Sequence, residues 1–385
     1  MALNPIAAIQ ILSALTGPAP DRNVLRKCLE SIPGSHWPQL CRNANHHHVA
    51  PLIYDTLTTC SSLDVIPETS RLYLEHEYRG TAAMNMILQH EHSRIECAVA
   101  DAGIALLPLK GIYLLSEGLY APEARPMTDL DYAASGDQIR NISPIMHRLG
   151  YEPVASGFSR NFTDRYVREY QYAKTIGGMM VAVEIHDAMI PVLSLRRAFP
   201  LPVERLIEQA QITKCGLTPA PAHALLFCIL HFAVVHRCSR LLWLSDISRM
   251  IHKWIVDWDH FTQETNRACA HAPVYVVLTA ARELHGVDAP ANRFAAGAGN
   301  AGRASAARVR AWLAETASPL ERAASPFLLS RTPLRTLAGH LFPPPDFVSL
   351  RYGIPGFLTP AWIAARPLLM AANALRSANT RKKIP

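Results

Sequence analysis

The sequence feature that most constrains the fold is a pair of apolar runs joined by two glycines. Tyr170 to Ile176 and Met180 to His186 bracket Gly177-Gly178, and two β-prone runs around a Gly-Gly pair signal a hairpin. Such a hairpin needs sheet partners, because an isolated one is marginally stable in water. The partners are expected just upstream. Ile104 to Leu109 is a short apolar run between Gly103 and Gly111, as a buried strand requires. Asp129 to Ala134 reads as a second strand. The segment 111–120 between them reads as a helix, as does Asp137 to Leu149 before Gly150.

Outside this middle segment the period is helical. Ala7, Ile11, Leu12 and Leu15 repeat at helical spacing, as do Leu74, Tyr78, Ala82 and Met86, followed by Leu88, Ile95 and Val99. Three further helices are expected around Leu225 to Ala233, Leu241 to Ile251 and Ala268 to Leu284. The fold class is therefore α+β, a small mixed sheet flanked by N- and C-terminal helical segments. The expected divisions are a helical region over 1–100, the sheet-bearing core over 101–190, a helical region over 191–290 and a basic helical region over 291–385. Ala291 to Ser305, rich in Ala and Gly, is the best linker candidate. A length of 385 residues favours more than one domain.

Composition narrows the class. Apolar content of 49% with 18% charged residues describes a folded chain. The cysteines Cys28, Cys41, Cys60, Cys97, Cys215, Cys228, Cys238 and Cys269 form no C-x-x-C pair, which argues against a zinc knuckle or disulfide framework and for a reducing, cytoplasmic location. The N-terminus lacks the basic start of a signal peptide. The apolar stretch Phe357 to Leu375 carries Pro360, Arg366 and Pro367 and is expected as buried helices rather than a membrane contact. From Ala291 onward there are 13 Lys+Arg against 3 Asp+Glu, a net +10 within an overall +7. A basic segment can meet an anionic partner, but no aromatic-interleaved stripe accompanies it.

The chemistry concentrates in the middle. Residues i and i+2 of a strand share a face, so Asp129 and Asp131 present two carboxylates together. Glu184 shares a face with His186 on the second hairpin strand, and if the strands are neighbours three acids converge. Oxygen ligands of this kind suit Mg²⁺, and paired ions clamp the attacking and leaving oxygens of an in-line displacement. Lys110 and Gly111 follow the first strand and open a helix, where a cation, a close backbone approach and helix N–H groups suit phosphate. Arg125 stands four residues before Asp129, where a guanidinium can grip phosphate oxygens. His186 is expected to contact substrate. His46-His47-His48 reads as a surface or helix-start feature, His231 and His236 as core or supporting histidines, and Asp246 as a helix cap or a residue that orients the site.

Leu109-Lys110-Gly111, Leu119-Tyr120, Arg125-Pro126-Met127-Thr128-Asp129-Leu130-Asp131, Leu149-Gly150-Tyr151 and Val183-Glu184-Ile185-His186, in that order, resemble a bacterial nucleotidyltransferase-like family within the DNA polymerase beta-like superfamily. The resemblance extends to His231, His236, Arg240 to Trp243 and Asp246-Ile247, and to Leu341-Phe342-Pro343 and Leu350 to Gly353. It implies a nucleotidyltransferase core that uses Mg²⁺ or Mn²⁺ and an NTP such as ATP. Asp129 and Asp131 would be metal ligands, and Glu184 a third ligand or the base. Lys110 and Gly111 would take the place of the Gly-Ser phosphate loop of better-known members, from which the chain departs; Tyr132, where an aliphatic residue is usual, is a second departure. The implied reaction moves a nucleoside monophosphate to a small-molecule or peptide acceptor and releases pyrophosphate. RNA as acceptor and a non-catalytic nucleotide-binding module are the alternatives.

Overall fold

A computed structural model describes residues 3–155, 157–213 and 216–381, with side chains to residue 370. Met1, Ala2, Cys215 and the basic Lys382-Lys383 lie outside the described residues. The centre is a five-stranded sheet of β1 (Leu107–Pro108), β2 (Asp129–Ala133), β3 (Glu152–Pro153), β4 (Glu169–Ile176) and β5 (Met179–His186), in the order β1-β2-β5-β4-β3. β2 runs parallel to β5, and every other pair is antiparallel. The sheet is thus mixed and the fold α+β, as expected. The hairpin turns at Gly177 and Gly178, both at positive φ (55° and 83°), a conformation glycine adopts without steric cost. The first strand is shorter than the sequence suggests. Pro108 has no N–H to extend the ladder, and beyond it only the Leu109 N–H donates, to the Asp131 carbonyl at 2.9 Å.

The two faces of the sheet differ. Leu130, Tyr132, Val183 and Ile185 point to one face and are buried beneath the long helix Glu68–Asp101, against which the helix Ile139–Arg148 packs. Tyr132, an unusual residue here, has a partner on the long helix: His92 Nδ1 lies 2.8 Å from its hydroxyl. Burial lowers the His92 pKa to about 4, which keeps the ring neutral. Glu91 is buried on the same helix and accepts from the Tyr151 hydroxyl at 2.8 Å and pairs with Lys174 of β4. The buried stripe of this helix runs through Leu74, Thr81, Asn85, Leu88, Ile95 and Val99. Met86, expected on it, is 69% exposed. Asn85 occupies that place because its amide donates to the Pro122 and Arg125 carbonyls at 2.5 and 2.8 Å, fixing the segment that leads into β2.

Two expectations fail in the C-terminal part. Ala291 to Ser305 is not an extended linker: Ala295–Ala306 is helical, kinked at Gly299, and lies against the helix His271–His285. Its small residues serve close approach, since a Cβ on Gly302 would stand 3.2 Å from the Ala272 Cβ. The stretch expected as buried helices is helical from Thr359, but Phe357 is 81% and Leu368 75% exposed. Among the described residues no helix is long and apolar enough to cross a membrane, and the cysteines among them are free thiols.

Candidate active site

The other face of the sheet is polar because of register. The parallel pairing sets Asp129 beside Ala182, Asp131 beside Glu184 and Ala133 beside His186. The hairpin pairing sets Gln171 beside Glu184 and Glu169 beside His186. Alternation then brings Asp129, Asp131, Glu184, His186, Glu169 and Gln171 to one face. Glu169 and Gln171 are absent from the sequence reading, although the hairpin turn carried the signal. Pairing Ile176 with Met179 across Gly177-Gly178 fixes 171 opposite 184 and 169 opposite 186.

Asp131 is the centre of this face. It is 5% exposed, and its Oδ1 accepts from Lys110 Nζ at 2.9 Å and from His186 Nε2 at 2.9 Å. Burial alone would raise this carboxyl's pKa, but the Lys110 charge and the His186 hydrogen bond outweigh it and hold the group well below the usual range. Lys110 remains an ammonium although burial opposes the charge, because Asp131, Asp129 and Glu184 surround it. Lys110 also sits at a positive φ of 46°, a backbone state uncommon for a residue with a Cβ and often found where function demands it.

Glu184 is in the opposite condition. Gln171 Nε2 donates to its Oε1 at 3.0 Å and to Glu169 Oε1 at 2.9 Å. Burial first, then the charges of Asp131 and Glu169, push its pKa up to about 7. Burial and the Asp131 charge raise Asp129 as well. His186 bridges the acids: Nε2 is 3.7 Å from Glu184 Oε2, and Nδ1 is 3.6 Å from Glu169 Oε2.

The expected trio of donors was Asp129, Asp131 and Glu184. The donor atoms that lie within 4.8 Å of one another belong instead to Asp131, Glu184 and His186. Register explains the difference, since Asp129 stands opposite Ala182, one step along the same face.

Arg125 requires a larger correction. Its guanidinium does not point free toward a phosphate. It is 4% exposed, and Nε and Nη2 donate to Asp246 Oδ1 and Oδ2 at 2.9 and 2.7 Å. Tyr120 donates to the same Asp246 at 2.8 Å. Asp246 lies inside the helix Leu241–Lys253, so it is no cap but a clamp between that helix and the segment before β2. Gly111 belongs to the same arrangement. A Cβ there would stand 2.5 Å from Arg125 Nη1 and 2.7 Å from the Met127 sulfur, so the missing side chain makes room for protein, and the close approach expected for a phosphate is filled on that side.

The remaining histidines separate. His47 is buried, not a surface feature, and its Nδ1 accepts from the Leu241 N–H at 3.3 Å. His231 and His236 lie in the field of Lys110, beside this polar face. A second group, His223, His260 and Glu264, also places its donor atoms within 4.8 Å. Arg205 and Arg267 already occupy the Glu264 carboxylate, and two guanidiniums there oppose a cation.

A family profile described as uncharacterised nucleotidyltransferase matches residues 33–286, which includes every residue of this face. No curated protein and no solved structure matches the chain.

Proposed function

Because the chain belongs to the uncharacterised nucleotidyltransferase family, and is on that ground a nucleotidyltransferase, we propose that it moves a nucleoside monophosphate from an NTP to a small-molecule or peptide acceptor and releases pyrophosphate. The observation that carries this reading is the Asp131 carboxylate held between Lys110 and His186 and facing Glu184 on the parallel strand. The donor set fits a hard divalent cation. It offers carboxylate oxygens on one face, and the raised proton affinity of Glu184 comes from burial first and then from the Asp131 and Glu169 charges, which a cation would offset.

On this reading Asp131 and Glu184, with Asp129 one step along the same face, would hold Mg²⁺ or Mn²⁺, which when bound would neutralise the triphosphate and acidify the acceptor hydroxyl. The chain's own residues do the rest. Lys110 supplies a mobile point charge that can pass from Asp131 to a phosphate oxygen. His186 and Gln171 fix the rotamers of Asp131 and Glu184. Arg125, spent on Asp246, positions the segment that presents Asp129. Catalysis is mainly positioning and charge neutralisation.

The test is pyrophosphate release from labelled NTPs with Mg²⁺ and a panel of hydroxyl-bearing small molecules and peptides. Asp131→Asn should lower turnover by at least about 100-fold, the scale of losing one preorganised electrostatic contact. Turnover that survives Asp129→Asn plus Asp131→Asn sinks the assignment.

A further inference from the structure

Beside the catalytic face stands a cluster of aromatic rings that the transfer chemistry leaves unused. The helix Pro221–Leu230 passes into a π-turn over His231–Val235, closed by the His236 N–H donating to the His231 carbonyl at 2.9 Å. Such widened turns recur at functional sites. Here the five-residue spacing brings the His231 and His236 rings to 4.2 Å. The chain then reverses through Arg237 and Cys238, both at positive φ (55° and 53°), and enters the helix Leu241–Lys253. That reversal lays the Trp243 indole on the His236 ring, with centroids 4.0 Å apart and planes at 24°. His231 meets the indole edge-on at 5.5 Å. His231 is buried, whereas His236 and Trp243 are half-buried.

The cluster is tied to the site through covalent and close contacts. Asp246, three residues beyond Trp243 on the same helix, clamps Arg125. Arg125 in turn abuts Gly111, the neighbour of Lys110. Arg240, at the start of this helix, has a buried Nη1 without a hydrogen-bond partner. That nitrogen is an unused donor on a side chain whose charge is felt at His236.

We propose that the Trp243–His236 stack is the platform on which the purine base of the nucleoside triphosphate lies, with Arg240 as a donor to the base or ribose. The inference rests on the transferase reading and adds the base to it. Stacking on an aromatic ring is worth about 1–3 kcal/mol per base, and the two fused rings of a purine cover more of an indole than a pyrimidine does. Burial and the Lys110 charge lower the His236 pKa to about 4, so the stacked imidazole is neutral and brings no cation to the base.

Titration of the full chain with Mg–ATP, Mg–CTP and Mg–tripolyphosphate tests this, followed by calorimetry and tryptophan emission. ATP should bind about tenfold more tightly than tripolyphosphate, with CTP between them, and only the nucleotides should quench the emission. Trp243→Leu should weaken ATP about tenfold and leave tripolyphosphate unchanged. His236→Leu should show the same pattern at smaller size, and it serves if Trp243→Leu does not fold. Equal affinity for ATP and tripolyphosphate, or equal losses for both in the variants, overturns the platform and leaves the transferase reading standing. No binding of either ligand overturns both.

Discussion

Two carboxyls on one face, Asp131 and Glu184, respond to the same surroundings in opposite ways. Asp131 has Lys110 and His186 on a single oxygen and stays ionised. Glu184 has only the Gln171 amide as a close donor, and burial with the Asp131 and Glu169 charges lifts it to about 7 from 4.5. The folded Glu184 therefore binds its proton more tightly than the unfolded chain does. Its contribution to stability is present in full below about 4.5 and is lost as pH rises through about 7. A divalent cation must displace that proton, so Mg²⁺ affinity should climb about tenfold per pH unit below pH 7 and level off above it. Calorimetry in buffers of different ionisation enthalpy should show about one proton released near pH 6. Glu184→Gln should abolish the release and make the metal-free chain less sensitive to pH. A pH-independent Mg²⁺ affinity would remove Glu184 from the cation's surroundings. The acids themselves were legible in the sequence, because alternation on β2 and β5 is a local property. Which acids meet was not legible, because only the inter-strand register sets Asp131 beside Glu184 and Asp129 one step along the same face.

At the scale of elements, the informative contact is the clamp between the helix Leu241–Lys253 and the segment before β2. Arg125 and Asp246 are 121 positions apart in the chain, and their pairing left no periodic trace in the sequence. Local spacing made Arg125 look like a phosphate ligand, since it precedes Asp129 by one turn's length. Removing one partner of a buried pair leaves an uncompensated charge and costs about 3–5 kcal/mol. Asp246→Asn should therefore lower the unfolding free energy measured by urea denaturation by an amount of that size, and turnover should fall as Asp129 loses its support. The double change Arg125→Met with Asp246→Leu should be less destabilised than Asp246→Asn, because no buried charge is left unpaired. An Asp246→Asn chain within about 1 kcal/mol of the parent would show that the clamp is not structural. The hairpin and the mixed sheet, by contrast, were readable from Gly177-Gly178 and from the change of period at Gly103. Chain punctuation and side-chain alternation are written locally, whereas a helix-to-loop ion pair is not.

For the whole molecule, the question is what the basic C-terminal part does. Its packing against the rest is close: the helix Ala295–Ala306 relies on Gly302 to approach Ala272, and Gly302→Val should cost about 1–3 kcal/mol by overpacking, read as a lower melting temperature. Among the described side chains of residues 291–370, six of the nine arginines behind this positive charge are committed within the fold. Arg293 pairs with Asp259 and Arg310 with Glu283, both outside the segment, while Arg308 pairs with Glu321 and Arg322 with Glu315. Arg366 is 8% exposed and donates to the His340 and Leu341 carbonyls. Arg351 lies over the rings of Phe158, Phe162 and Tyr352. Guanidiniums committed in this way release few counterions when a polyanion approaches. RNA should accordingly bind no more tightly than the non-specific range of about 10⁻⁴–10⁻⁶ M at physiological salt. The slope of log K against log salt should be shallow, corresponding to about two or three phosphates on single strands. Filter binding across about 50–200 mM salt measures it. A fall of about 1,000-fold over that range would show that the arginines exchange their protein partners for phosphates, and would make RNA the acceptor to test first.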